Sequence, residues 1–455
     1  MNQNFCFGFT SPDDRLPIGK SGYDIILNHL SPDRQPLTCT TRIRRVNLRS
    51  KIPPRLQKFT TTGALIKFPM LPFALIVVGF FILLRPFVII QIYKVHDWRI
   101  GHMVTATHLR TLEIKEWNSN HLRKKILVYF FGSKISANDY YRDILLRQHT
   151  SIQGHWGFLL FYISSFFKFI VPNSDYTVLD KEGLILKYPV GIKFNKSEIM
   201  EGNRFLASCG LNQESKYVCL NVRDSAYLSK TRKKDFNKHE LRNSDINTYI
   251  DSIKALIGAG YAVFRMGSIA EHQLDFKHPM FFDYAINGMR TEFLDIFLGD
   301  NCTFCISTGS GWDEIPRIFK RPTIYVNFLP ILEHNMITRD LLLFPKYIKD
   351  KVTNELLSLN NLLSSFLYGQ SNPYWVDTYN GVVQDLSSDD LKYATLEMIA
   401  RIEGKFTPNN QQSQTQEKLR QALMSESKFQ PSAGYFPIRA EFATRFLSQN
   451  PKFLD

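Results

Sequence analysis

The chain has few cysteines, no internal repeat, and no apolar run that is both long and unbroken. Its six cysteines (Cys6, Cys39, Cys209, Cys219, Cys302, Cys305) in 455 residues are too sparse for a disulfide framework. The N-terminus lacks a signal-peptide layout, which points to a reducing compartment. Cys302-x-x-Cys305 has no second pair and no nearby histidines, so the expectation is two small buried hydrophobes and no metal. Acidic residues are in deficit: 42 Asp+Glu against 56 Lys+Arg leave a net charge of +14. That excess suits nucleic acid, an anionic membrane or a phosphate-bearing substrate. No zinc-finger, RNA-recognition or helix-turn-helix pattern occurs, which puts nucleic acid last and leaves it out of the expected partners.

A hydrophobic content of 44% excludes wholesale disorder, and the length suggests two domains plus extensions. Residues 1–68 are basic, with Arg42, Arg44, Arg45, Arg49, Lys51, Arg55 and Lys58, and show no periodicity. They read as a largely disordered extension, and Met70 as a candidate natural start. Leu71–Ile90 is the most apolar stretch, and Arg85-Pro86 interrupts it. As a helix, Leu71–Leu84 reaches only about 20 Å, short of a ~30 Å hydrocarbon core. The expectation is a short membrane-associated helix over 69–85 joined to a first strand at Phe87–Tyr93, with a true single span as the rival. Either places the chain at a membrane, here the cytoplasmic face of an inner membrane. The aromatic patch Trp156–Phe169 reads equally as core or as a lipid- or acceptor-facing surface.

The second half alternates short apolar runs with helix patterns. Strands are expected at Tyr217–Val222, Tyr261–Met266, Thr303–Ile306 and Thr323–Val326. Helices are expected from Asp245 with Ser244 as N-cap, around Phe293–Leu298, and near Ser388–Ile402. The order predicts an α/β fold with a doubly wound parallel sheet and ligands at its carboxyl edge. Thr407–Thr415 reads as a polar linker to a tail. The expected domains are 86–210, 211–404 and a tail at 405–455.

Each second-half strand ends in polar residues: Arg223-Asp224, then Arg265 and Gly267, then Ser307-Thr308-Gly309-Ser310-Gly311. Small residues where a strand meets a helix offer N–H groups to a phosphate, and two guanidiniums can clamp a diphosphate. The alternative is that Arg223 and Arg265 pair with Asp224, Asp283 or Asp295. Asp313 and Glu314 would stabilise a helix dipole, or a carboxylate would accept from ribose hydroxyls. In the first half, Arg99-Ile-Gly-His102 follows a strand; Gly101 would let substrate approach, and His102 is the candidate general base.

Together these residues resemble a family of predicted bacterial glycosyltransferases of surface-polysaccharide synthesis. The matching motifs, in order, are Arg99-Ile-Gly-His102, Asn221-Val-Arg-Asp224, Leu241-Arg-Asn-Ser-Asp-Ile246, Phe264-Arg-Met-Gly267, Phe293-Leu-Asp-Ile-Phe-Leu298, Ser307-Thr-Gly-Ser-Gly311, and Arg321-Pro with Val326-Asn327. The resemblance covers roughly residues 70–450. It implies a GT-B-like architecture, two Rossmann-like domains facing a cleft, with a nucleotide-sugar donor held mainly by the C-terminal one. It implies His102 as base, Arg223 on the diphosphate, Asn327 lining the site, and no bound metal or cofactor. The acceptor would be a lipid-linked or growing glycan. A nucleotide-sugar epimerase of the same fold is the alternative enzyme, and a non-catalytic basic membrane- or nucleic-acid-binding protein the alternative outside enzymes.

Overall fold

The computed structural model describes residues 70–132, 136–172, 180–224, 243–270, 272–329, 341–365, 380–425 and 438–454. The expectations for the basic extension, and for Leu241 and Arg242 of the quoted motifs, lie outside the described residues.

Helix α1 (Leu71–Leu84) ends at Arg85-Pro86, and β1 (Val88–Lys94) begins almost at once. Valine and isoleucine at four of the seven β1 positions favour the extended chain. Helix α2 (Ile100–Asn120) then crosses to β2 (Lys124–Phe131), which pairs with β1 in parallel from Val88↔Lys124 to Lys94↔Phe130. Helix α3 (Asp139–Gln148), capped by the Asn138 side chain, leads to the short β3 (Ser151–Gln153), parallel to β2. Three more helices follow among the described residues of this half: α4 (Gly154–Ser164), α5 (Leu184–Lys187) and α6 (Lys196–Ser208). The aromatic patch divides between two roles. Phe161 stacks on Phe130 in the interior, whereas Phe166 stands exposed.

The second sheet has seven strands, every neighbouring pair parallel: β4 (Tyr217–Asn221), β5 (Ala262–Arg265), β6 (Phe281–Phe282), β7 (Phe304–Ser307), β8 (Thr323–Val326), β9 (Leu341–Phe344) and β12 (Glu441–Phe442). Their spatial order is β12-β9-β8-β7-β4-β5-β6. The chain runs outward from β4 through β5 to β6, then returns to β7 on the other side of β4 and continues outward. Strands β10 (Tyr347–Asp350) and β11 (Gly381–Gln384) form a separate antiparallel pair. The doubly wound parallel sheet expected from the strand–helix alternation is present, extended by β6, β9 and β12.

Helix α7 (Ile250–Gly258) follows β4, α8 (Glu292–Asn301) precedes β7, and α9 (Glu314–Ile318) joins β7 to β8. After β9 come α10 (Leu359–Ser365), α11 (Ser388–Ile402), α12 (Asn410–Ser425) and α13 (Thr444–Gln449). Three local expectations change. Ser244 does not cap the helix after β4; Asp245 caps a 3-10 turn over Ile246–Tyr249, while the Ser244 hydroxyl bonds inward to Tyr249 Oη at 3.1 Å. The polar stretch Thr407–Thr415 is no linker, because α12 starts inside it. A stripe of Gln416, Leu419 and Leu423 is buried, and that suffices to dock an otherwise polar helix. The tail is also part of the sheet: the Gln416 amide bonds both the N–H and the C=O of Phe442 on β12.

Residues 62–455 form one compact unit. One hydrophobic cluster runs through both sheets, joining Tyr93, Met103, Tyr129 and Tyr141 to Cys219, Phe264, Phe297, Trp312 and Ile315. The cysteines behave as small hydrophobes: Cys219, Cys302 and Cys305 are buried, and burial pushes the Cys219 and Cys305 thiols far up. Helix α6 meets α8 at Gly202, where a Cβ would fall 2.2 Å from the Phe297 ring. That ring is itself core, so it cannot swing aside. Gly202→Ala should therefore cost about 1–3 kcal/mol in chemical unfolding. Gly258→Ala, at the end of α7 with nothing within 4 Å of a new Cβ, should be neutral or stabilise by up to about 1 kcal/mol. Equal effects at both glycines would contradict this packing.

Candidate functional site

In a doubly wound sheet, the carboxyl ends of the two strands where the winding reverses leave a crevice. Here those strands are β4 and β7, paired from Val218↔Phe304 to Asn221↔Ser307. Their ends carry Asn221-Val-Arg223 and the Ser307–Gly311 turn. The sequence-derived site therefore falls at the reversal point.

The turn is built from inside. Asp313, buried, accepts from Ser307 Oγ at 2.7 Å and from the Ser310 N–H at 2.8 Å. The Gly309 N–H donates to Ser307 Oγ at 3.1 Å, and the Thr308 N–H to the Asn221 carbonyl at 3.2 Å. Asn221 Nδ2 donates to Ser310 Oγ at 2.5 Å, and the Trp312 N–H donates to the same hydroxyl at 3.2 Å. Thr308 Oγ1 accepts from the Arg223 N–H at 2.9 Å, locking the turn to the end of β4. Ser307 and Thr308 are fully buried. The expectation that this backbone cradles a diphosphate is corrected accordingly: the amides of 308, 309 and 310 are already bonded within the fold. Asp313, read from the sequence as a helix-dipole residue, is the acceptor that shapes the turn.

Gly101 and Gly311 explain each other. A Cβ on Gly101 would lie 2.9 Å from Gly311 Cα and 3.0 Å from its carbonyl oxygen. The close approach that Gly101 permits is therefore to the turn of the second half rather than to a substrate. One turn further along α2, Thr105 Oγ1 donates to Glu314 Oε2 at 2.6 Å, and Arg317 donates to the same oxygen at 2.6 Å. Glu314 is thus held between α2 and α9 through Oε2.

Two further assignments are corrected. Arg265 is 2% exposed, donates to Asp283 at 3.1 Å and to the His272 carbonyl at 2.8 Å, and so is the paired alternative. Burial in the sheet leaves it no route to a ligand. Asn327, fully buried at φ +50°, donates to Ser244 Oγ at 2.9 Å and accepts from the Leu386 N–H at 2.6 Å. It is a left-handed hinge after β8, which asparagine tolerates, and not a lining residue. Gly267 ends β5 at φ +153°, one strand removed from the reversal point.

What remains near the crevice is a set of half-buried side chains. Arg223 donates from Nε to Asn243 Oδ1 at 3.4 Å. The Arg99 guanidinium lies 4.7 Å over the Trp98 ring, and the His102 ring stacks on Trp98 at 5.9 Å. Behind them sit two buried groups that sequence reasoning missed, since nothing local signals burial just past a strand end. His96 is pushed down to about 4 by burial, with Lys94 and His102 adding to it. Burial also raises the Asp97 carboxyl, whose Oδ2 has no hydrogen-bond partner among the described residues. Lys346, just past β9, donates to the Asn243 carbonyl at 2.6 Å and pairs with Asp385. A lone lysine between two strands gave no sequence signal.

The sequence matches no protein-family model and no curated protein. Among solved structures, ADP-heptose LPS heptosyltransferase II of E. coli is 12% identical, with 69% of this chain and 100% of that chain covered and a TM-score of 0.40. A family 9 glycosyl transferase from Veillonella parvula is 11% identical, with 69% and 97% covered and a TM-score of 0.38.

Two measurements probe this junction. Gly101→Ala should destabilise by about 1–3 kcal/mol, because backbone rather than a flexible side chain blocks the new methyl; an unchanged urea midpoint would refute the contact. His108 on α2 is buried and held down to about 4 by desolvation, with Arg317, Lys320 and His149 adding to it. The unfolded imidazole titrates near 6.5, so only the unfolded chain takes up a proton as the pH falls below that. Its stabilising contribution is complete above pH 6.5 and falls by ~1.4 kcal/mol per pH unit towards pH 4. His108→Gln should lose less stability than the unmutated chain between pH 7 and 5, and parallel profiles would count against it.

Proposed function

We propose that the chain is a glycosyltransferase that moves a sugar from a nucleotide donor to a hydroxyl of a glycan acceptor. One observation carries the reading: the winding-reversal crevice between β4 and β7 ends in Arg223 and a rigid small-residue turn, and the start of α2, with Arg99 as N-cap and His102 in the first turn, packs on that turn through Gly101. With Arg265 and the turn's bonded amides committed to the fold, the diphosphate falls to the guanidiniums of Arg223 and Arg99, with Ser310 and Gly311 at its edge.

In this scheme the acceptor oxygen attacks the anomeric carbon and the carbon–oxygen bond to the diphosphate breaks. The electron pair leaves with the nucleotide, whose charge the guanidiniums offset. His102 takes the hydroxyl proton. The buried, neutral His96 adds no second positive charge beside it near pH 7.

One observation favours the non-catalytic alternative, namely the Arg265–Asp283 pair. The readings separate in a thermal-shift screen with UDP-, GDP-, CMP- and dTDP-sugars. A nucleotide sugar should raise the melting temperature. Arg223→Ala should weaken that binding roughly tenfold to a hundredfold, the worth of one charged hydrogen bond. His102→Ala should leave binding intact and slow transfer about 10²–10⁴-fold. No shift with any nucleotide, or an unimpaired His102→Ala enzyme, would refute the assignment.

A further inference from the structure

Helix α1 (LPFALIVVGFFILL) carries no charged or hydrogen-bonding side chain, yet only Ala74 and Val78 are buried. Phe73, Leu75, Ile76, Phe80 and Leu83 are each more than half exposed, reaching 74% at Leu83, and Phe87 just beyond the helix is 78% exposed. At 100° per residue, the exposed positions Pro72, Phe73, Leu75, Ile76, Phe80, Ile82 and Leu83 fill roughly half the helix circumference. The other half packs on α4, with Phe73 meeting Trp156 at the boundary, their rings 5.0 Å apart. A half-cylinder of apolar surface is far wider than the seam with which two helices pair, and it matches a helix sunk to its midline in an interface.

Length and charge select the occupant. No described helix is long and apolar enough to cross a membrane, and 14 residues reach only about 21 Å. Where α1 stops, Arg85 lies 4.4 Å over the Phe169 ring, which brings the 166–169 turn to the helix end. That turn presents exposed Phe166 and exposed Lys168. Apolar surface is therefore bordered by two cations, on a chain of net charge +14.

We propose that α1, with Phe87 and Phe166, is an in-plane anchor on an anionic bilayer surface, Arg85 and Lys168 contacting lipid phosphates. The anchor is independent of the sugar-transfer reading. The test is flotation of the full chain with phosphatidylcholine vesicles and with vesicles carrying phosphatidylglycerol. Binding should favour the anionic vesicles and weaken as salt is raised. Leu83→Glu should cut it about tenfold or more without moving the melting temperature, since Leu83 packs on little. Lys168→Glu should lower the preference for anionic vesicles.

Absence of vesicle binding, or equal partition into neutral and anionic vesicles, would overturn the proposal. So would a concentration-dependent dimer that Leu83→Glu dissolves, which would make a second copy the occupant. Nucleotide-induced melting shifts measured on the same Leu83→Glu chain keep failure of the anchor distinct from failure of the catalytic reading.

Discussion

Two glycine backbones, Gly101 at the start of α2 and Gly311 at the end of the β7 turn, lie so close that no Cβ fits between them. Much of the site follows from this contact. It sets α2 against α9, where Thr105, Glu314 and Arg317 form a hydrogen-bonded link, and it fixes the first turn of α2, with Arg99 and His102, beside the turn at the carboxyl edge of the larger sheet. The continuous core from Tyr93 to Phe264 makes the placement stiff. A candidate base therefore owes its position to main chain of the other half, not to a flexible loop.

The same rigidity changes how the β7 turn can act. A phosphate-binding loop must leave N–H groups pointing outward. Here a buried aspartate and two hydroxyls take those donors, so the turn acts as a wedge of fixed shape. In the proposed reading charge comes instead from side chains flanking it, Arg223 at the reversal strand's end first among them. Arg265, one strand away, shows how small a change of position decides the role: there the neighbouring acid is buried too, and the two neutralise each other.

Away from this edge, α1 stands out as apolar surface whose outer half is exposed, with no partner among the described residues. Exposure of such large side chains forgoes the burial that stabilises a packed helix. Arg85 and Lys168 stand beside it, and this pairing of apolar surface with cations is what the proposed lipid anchor rests on.

Much of the fold was legible because its signals are local. β-Branched runs mark β1 and β8, the Arg85-Pro86 break ends α1, and strand–helix alternation gives a parallel doubly wound sheet whose reversal point holds the sought-after turn. Residue types likewise anticipated that Arg223 and the Ser307–Gly311 turn stand at the carboxyl edge of the larger sheet. Burial and partners were not legible, because they depend on chain far away in sequence. Asp283 claims Arg265, Ser244 and Leu386 claim Asn327, Thr105 claims Glu314, and Gly311 claims Gly101. The amino-acid order by itself determined which elements form and which chemical groups stand at their ends, since backbone propensity and hydrophobic period act over a few residues. Only the tertiary structure decided which of those groups are consumed in holding the molecule together, since desolvation and pairing are settled by neighbours that packing alone supplies.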